Sequence, residues 1–136
     1  MILLDTHIWH WWVNKIPDKL SSTMISAIEE AEQVGVSAIS CFEMAWLVKH
    51  GRIDLGMTFD EWLYQIEKAM IVEFLPIIPA IAAKTVELPE HHRDPMDRLI
   101  ISTALYYHAK LFSFDKAFVP YQEIGLHLIT IDLHLK

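Results

Sequence analysis

The chain has 136 residues, 53% of them hydrophobic and 21% charged, which suits a globular fold with one buried core and excludes a disordered chain. A formal net charge of -7 disfavours a protein that coats nucleic acid through a broad basic face, but not one that gathers acids around a cation. The single cysteine, Cys41, excludes an internal disulfide and suits a reducing compartment, so the expected location is the cytoplasm and Cys41 itself reads as a small, partly buried residue.

Residues 1–4 are an apolar run that meets Asp5 at once, the pattern of a short buried strand. The run has no basic flank and so is not a signal peptide, and no apolar run reaches the roughly 18 to 20 residues that span a bilayer. A tryptophan-rich helix follows over 6–13 and is broken at Pro17-Asp18. Ser21 or Ser22 starts a second helix that runs to about residue 33. A second strand is expected over 35–39, with Ser40 capping a helix to about residue 50 that Gly51 closes. Thr58 caps the next helix, where Phe59, Trp62, Leu63, Ile66 and Met70 fall at helical spacing on one stripe. A third strand over 72–78 leads to a helix opened by Pro79 and ending near residue 88. After a loop over 89–93, a helix runs from Pro95 to about residue 108. A fourth strand over 110–114 ends at Asp115, and a fifth is expected over 126–131. Alternating strands and helices imply a three-layer α/β/α sandwich around a central, mostly parallel five-stranded sheet. No linker or repeat divides residues 1–136, which read as one domain.

Four acids occupy equivalent places in this scheme. Asp5 ends the first strand, Glu43 sits three residues past Ser40, Asp97 lies in the first turn of the helix opened by Asp94-Pro95, and Asp115 ends the fourth strand. In an open α/β sheet the carboxyl ends of strands and the amino ends of the following helices share one edge, where ligands bind. Two carboxylates about 5 Å apart repel by roughly 3 kcal/mol at an effective dielectric near 20. Four together either raise one another's pKa or recruit a hard divalent ion, and oxygen-only ligands suit Mg²⁺ or Mn²⁺. Such an ion can activate water against a phosphodiester and stabilise the charge that develops.

Each acid also has a purely structural explanation. Asp94 is a good N-cap, Pro95 suits the first helical position, and Asp97 at the third can return the bond of a capping box. Ser40-x-x-Glu43 has the form of Thr58-x-x-Glu61, which no strand immediately precedes, and Asp115 can be a turn residue. Asp5 is harder to explain in this way, because acids seldom end buried strands. The joint placement carries the argument.

These segments, in this order, resemble the PIN-domain ribonucleases, and most closely the VapC-type toxins of bacterial and archaeal toxin–antitoxin systems. The resemblance covers nearly the whole chain. It runs through Leu3-Leu4-Asp5-Thr6-His7, then Val36-Ser37-Ala38-Ile39-Ser40 with Glu43. It continues in His91-His92-Arg93-Asp94-Pro95-Met96-Asp97-Arg98-Leu99-Ile100, the most specific segment, and ends in Phe112-Ser113-Phe114-Asp115. The resemblance implies Mg²⁺ or Mn²⁺ in an acidic pocket, with Asp5, Glu43, Asp97 and Asp115 as the metal-binding and catalytic acids. Asp94 then looks like an auxiliary acid or the helix cap. Ser113 keeps the hydroxyl of a threonine usual in the family, and Thr6 can hold a carboxylate or a water. His7 stands in place of a common asparagine, and Phe114 in place of a basic or polar residue. The same resemblance implies an RNA substrate, a cognate antitoxin and a homodimer.

Arg93, Arg98 and Lys116 flank the acids and are candidates for phosphate contacts, although Arg98 can equally pair with Asp94 along its helix. His91-His92 reads as a solvated loop, since no zinc-ligand spacing accompanies it. Trp9, Trp11, Trp12 and Trp46 read mostly as core, but the first three cannot all face one side of a helix, so one should reach a surface suited to a protein partner. The reading is a metal-dependent endoribonuclease of the toxin type. Its rivals are a phospho-receiver-like signalling domain and a catalytically silent PIN-like module that binds RNA or protein. Against the receiver, the first strand ends in one acid rather than two, and Asp115 stands where a lysine would help hold phosphate.

Overall fold

In a computed structural model, which describes residues 1–130, the first strand, β1 (Ile2–Leu4), sets the layering. Ile2 and Leu4 face one side of the sheet and Leu3 the other, and all three are buried, as a strand covered on both faces requires. The other strands are β2 (Val34–Ser37), β3 (Glu73–Leu75), β4 (Lys110–Phe112) and β5 (His127–Ile129). They form one all-parallel sheet in the order β3-β2-β1-β4-β5, with Leu4 in register between Val36 and Phe112.

The helices are α1 (Thr6–Val13), α2 (Ser22–Glu30), α3 (Ala38–Lys49), α4 (Phe59–Ala69), α5 (Pro79–Glu87) and α6 (Pro95–Tyr107). Trp9, Met24, Ile28, Met44, Trp62 and Ile66 of α1 to α4 cover the Ile2–Leu4 face. Ile100, Ile101 and Ala104 of α6 cover the Leu3 face, together with Phe118 and Tyr121 from a 3₁₀ run, Lys116–Ile124. The expected three-layer α/β/α sandwich is therefore present. No helix among the described residues is long and apolar enough to cross a membrane.

Several boundaries differ from expectation, each for a local reason. Strand β2 stops at Ser37, whose Oγ accepts from the Ile39 amide and caps α3, so Ser40 is a buried residue inside the helix rather than its cap. Strand β3 stops at Leu75, just before Pro76, which has no N–H to donate to a ladder. Helix α4 ends at Ala69, and Met70 takes a left-handed conformation (φ 56°) and is 85% exposed, so it leaves the apolar stripe. The 3₁₀ run was not expected: Pro120 interrupts any α-helical reading, while Phe118 and Tyr121, three residues apart, bury one side at the 3₁₀ repeat. Strand β5 is shorter than expected, and Ile131 of its expected end lies outside the described residues.

Candidate metal centre

The strand order reverses between β1 and β4, and in an open α/β sheet that switch point opens a crevice beyond the strand ends. The Asp5 amide donates to the Phe112 carbonyl at 3.1 Å, so the residues that follow β1 and β4 emerge side by side. There, Asp5, Thr6, Glu43, Asp97 and Asp115 line a cleft of about 270 Å³, walled by His7, Trp11, Phe114 and Phe118. A larger cavity, about 840 Å³, lies among α5, α6 and β5, but it contains none of the four acids.

Asp5 is 7% exposed and caps α1, its Oδ1 accepting from the Ile8 amide at 2.8 Å. Burial pushes its pKa from 3.8 up to about 6, against the opposing pull of hydrogen bonds from the Ser113 hydroxyl and the Ile8 amide. Thr6 donates its hydroxyl to Glu43 Oε1 at 2.5 Å and lies 3.0 Å from Ser40 Oγ. Because α3 starts at Ala38, Glu43 sits in its second turn and takes no part in a capping box. The Thr58–Glu61 pair does form a cap: Thr58 Oγ1 accepts from the Glu61 amide at 3.1 Å.

Asp94 caps α6 alone, accepting from the Met96 amide at 3.0 Å. Asp97 does not reach back to close a box. Its Oδ2 lies 2.6 Å from His92 Nε2, and burial, aided by the Asp94 and Glu43 charges, pushes its pKa up to about 6. Asp115 is exposed and caps the 3₁₀ run through the Ala117 amide at 2.9 Å, while its own amide donates to Ser113 Oγ at 3.1 Å. A carboxylate has about four lone-pair sites, so capping and cation binding are compatible on one acid.

The donor set fits a hard divalent ion. The ion pairs among the described residues are Lys84–Glu87 and His92–Asp97, so no lysine or arginine neutralises the four acids. Two of them are driven toward protonation by burial, a strain that a cation relieves. Carboxylate oxygens of Asp97 and Asp115 and a ring nitrogen of His92 lie within 4.8 Å of one another, so the two acids can meet at one ion.

The PIN-domain family model matches residues 2–123. The chain belongs to the PIN-domain family. It is 40% identical over 116 residues to Ribonuclease VapC22 of Mycobacterium tuberculosis, covering 85% of this chain and 87% of that protein. At 19% identity its fold matches a toxin–antitoxin complex from Klebsiella pneumoniae, with a TM-score of 0.65 over 96% of this chain and 97% of that one. FitAcB from Neisseria gonorrhoeae matches at 17% identity with a TM-score of 0.68, over 95% and 96% of the two chains. The resemblance to VapC-type PIN ribonucleases read from the four segments is borne out by the family and by this relative. A phospho-receiver would order its sheet 2-1-3-4-5, so the observed order excludes that rival.

Two readings of PIN-domain residues need correction. Arg98 is buried, and its guanidinium donates to the carbonyls of Thr85, Leu88, Pro89 and His92 at 2.9 to 3.0 Å. Those bonds take the place of both alternatives, a phosphate contact and pairing with Asp94. His91 is exposed as expected, but His92 is not a solvated loop residue: its side chain is 20% exposed and joined to Asp97. Ligand-spacing rules could not find it, because it acts across a loop rather than along a helix. Arg93 and Lys116 remain exposed beside His92 and Asp115. Among the tryptophans, Trp9 is fully buried, Trp11 and Trp12 are half-buried, and Trp46 is 42% exposed. Cys41 is half-buried, and burial pushes its thiol up to about 11, which suits an inert residue.

Proposed function

We propose that this PIN domain, spanning residues 1–136, is a divalent-cation-dependent endoribonuclease and the toxin of a VapBC-type pair, working in the cytoplasm. The observation that carries the reading is one cleft holding Asp5, Glu43, Asp97 and Asp115 with no lysine or arginine to balance them. These four would hold Mg²⁺ or Mn²⁺, and Asp94, which caps α6, is auxiliary only through its charge near Asp97. When bound, the ion supplies positive charge against phosphodiester oxygens and makes water more acidic.

The chain's own groups do the rest. Thr6 fixes the Glu43 carboxylate and the Ser113 hydroxyl steadies Asp5. A carboxylate of the set accepts the proton from the attacking water. Arg93 and Lys116 contact phosphates on either side. Trp11 and Phe114, with ring centroids 5.6 Å apart, offer the cleft wall on which an unpaired base stacks, which favours single-stranded RNA. The name of the 40% identical relative supports a ribonuclease, and the Klebsiella complex supports an antitoxin partner. On α3, Phe42 and Trp46 are 59% and 42% exposed one turn apart, an apolar strip for the antitoxin or for a second copy in a homodimer.

Cleavage of structured RNAs, tRNA included, with Mn²⁺, Mg²⁺ or EDTA tests the reading. Asp97→Asn, its fold checked by circular dichroism, runs alongside. Cutting that needs the ion and disappears in the variant is the expected result. Protein that binds no Mn²⁺, with RNA cleavage unchanged in Asp5→Asn, would sink the proposal. Metal-loaded protein that cuts nothing would favour the silent binding module.

A further inference from the structure

The loop between α5 and α6 is held by more buried polar chemistry than a connection requires. Arg98 Nη2 donates to the Thr85 and Leu88 carbonyls at 2.9 and 3.0 Å, and Nη1 to those of Pro89 and His92, both at 3.0 Å. Beside the guanidinium, with its hydroxyl 3.5 Å from Arg98 Nη1, the buried Tyr121 donates to the Pro89 carbonyl at 2.7 Å and accepts from the His92 amide at 2.9 Å. Both backbone polar groups of His92 are thus pinned by side chains, the carbonyl by Arg98 of α6 and the amide by Tyr121 of the 3₁₀ run. Burying a guanidinium among carbonyls costs desolvation that an apolar side chain at the same place would avoid.

At the end of this pinned loop, the His92 ring packs 5.9 Å from Phe118 and its Nε2 meets Asp97 Oδ2 at 2.6 Å. We infer that Arg98 and Tyr121 are positioning residues that aim His92 at Asp97, and that His92 fixes the Asp97 carboxylate for cation binding. One oxygen is held by the imidazole and the other is left for the cleft. The inference rests on the nuclease reading, which gives Asp97 its ion. His92 acts through Asp97 and not as a ligand itself: neighbouring ligand atoms around an ion with bonds of 2.0–2.1 Å lie about 3 Å apart, further than this pair. Outer partners that orient a ligand in this way typically change metal affinity by about 10- to 100-fold.

Calorimetric titration of the full chain with Mn²⁺ and, separately, Mg²⁺ tests it in wild type, His92→Ala, His92→Gln and Tyr121→Phe. His92→Ala is expected to weaken both ions by a similar factor of about ten or more. His92→Gln, whose amide N–H reaches the same oxygen, is expected to recover most of that loss, and Tyr121→Phe to give a smaller loss. In cleavage assays kcat should fall while KM for RNA stays unchanged. Unaltered binding of both ions by a folded His92→Ala would overturn the inference. So would a loss much larger for Mn²⁺ than for Mg²⁺ that Gln does not repair, because that pattern marks a direct nitrogen ligand. Wild-type protein that binds neither ion would remove the nuclease reading itself, and the inference with it.

Discussion

Asp5 and Asp97 tie the stability of this protein to pH. Both carry pKa values raised from 3.8 to about 6, chiefly by burial. An acid whose pKa rises on folding holds its proton more tightly in the native state. The native state is therefore favoured at low pH, and stability falls as pH climbs from about 4 to about 6. At about 1.36 kcal/mol per pKa unit, each acid costs up to roughly 3 kcal/mol above that window, less where solvent reaches Asp97. The metal-free chain in EDTA should accordingly have a higher urea midpoint at pH 5 than at pH 7.5, and Mn²⁺ should remove most of the difference. A midpoint insensitive to pH would mean the two acids are not strained. Asp5→Asn keeps a good N-cap while removing the charge, so this variant should be the more stable metal-free protein at pH 7.5 by about 1–2 kcal/mol. Residue types at these places were readable in advance. Their mutual repulsion was too, but the burial that chiefly strains them was not, because it comes from parts of the chain far away in sequence.

Helix α6 separates a structural acid from a functional candidate within four residues. Asp94 makes the cap and Asp97 does not, although the D-P-x-D spacing fits a capping box. Asp94→Ala should lower stability by about 1 kcal/mol, read as a lower Tm, while Asp94→Asn should leave it unchanged. Asp97→Asn should show the opposite: an intact cap and undiminished stability, with cleavage lost. If Asp97→Asn destabilised the helix as Asp94→Ala does, Asp97 would be a second cap. A similar ambiguity at α3 resolved differently. Ser37 and Ser40 are both competent caps, and hydrophobic periodicity cannot choose between two serines three residues apart. The choice falls on Ser37 once the Thr6 hydroxyl lies beside Ser40, and Glu43 is thereby released from capping to face the cleft.

Across the whole molecule a net charge of -7 leaves little cationic surface, and Arg93 and Lys116 are the exposed basic groups next to the cleft in sequence. Two phosphate contacts on a single strand predict that log kcat/KM falls with log salt at a slope of about -1.4, or about -0.7 per contact. Lys116→Ala should halve that slope, mainly through KM. A slope several times steeper would reveal an additional basic partner surface, such as one contributed by a second subunit.

The alternation of apolar runs with helical stripes was enough to determine an α/β/α sandwich. Asp5, Glu43, Asp97 and Asp115 could be singled out because strand ends and helix starts share an edge in such folds. Local chemistry also fixed the caps at Asp94 and Thr58. Only the tertiary structure decided what the long-range partners are. Arg98 looked like a surface cation because charged side chains usually are, yet carbonyls from 85 to 92 converge on it and keep it inside. His92 reads as solvated because no ligand spacing accompanies it, and Tyr121 carries no local signal in a stretch broken by Pro120. Their roles depend on packing between segments up to 32 residues apart, a separation at which neither periodicity nor spacing carries information.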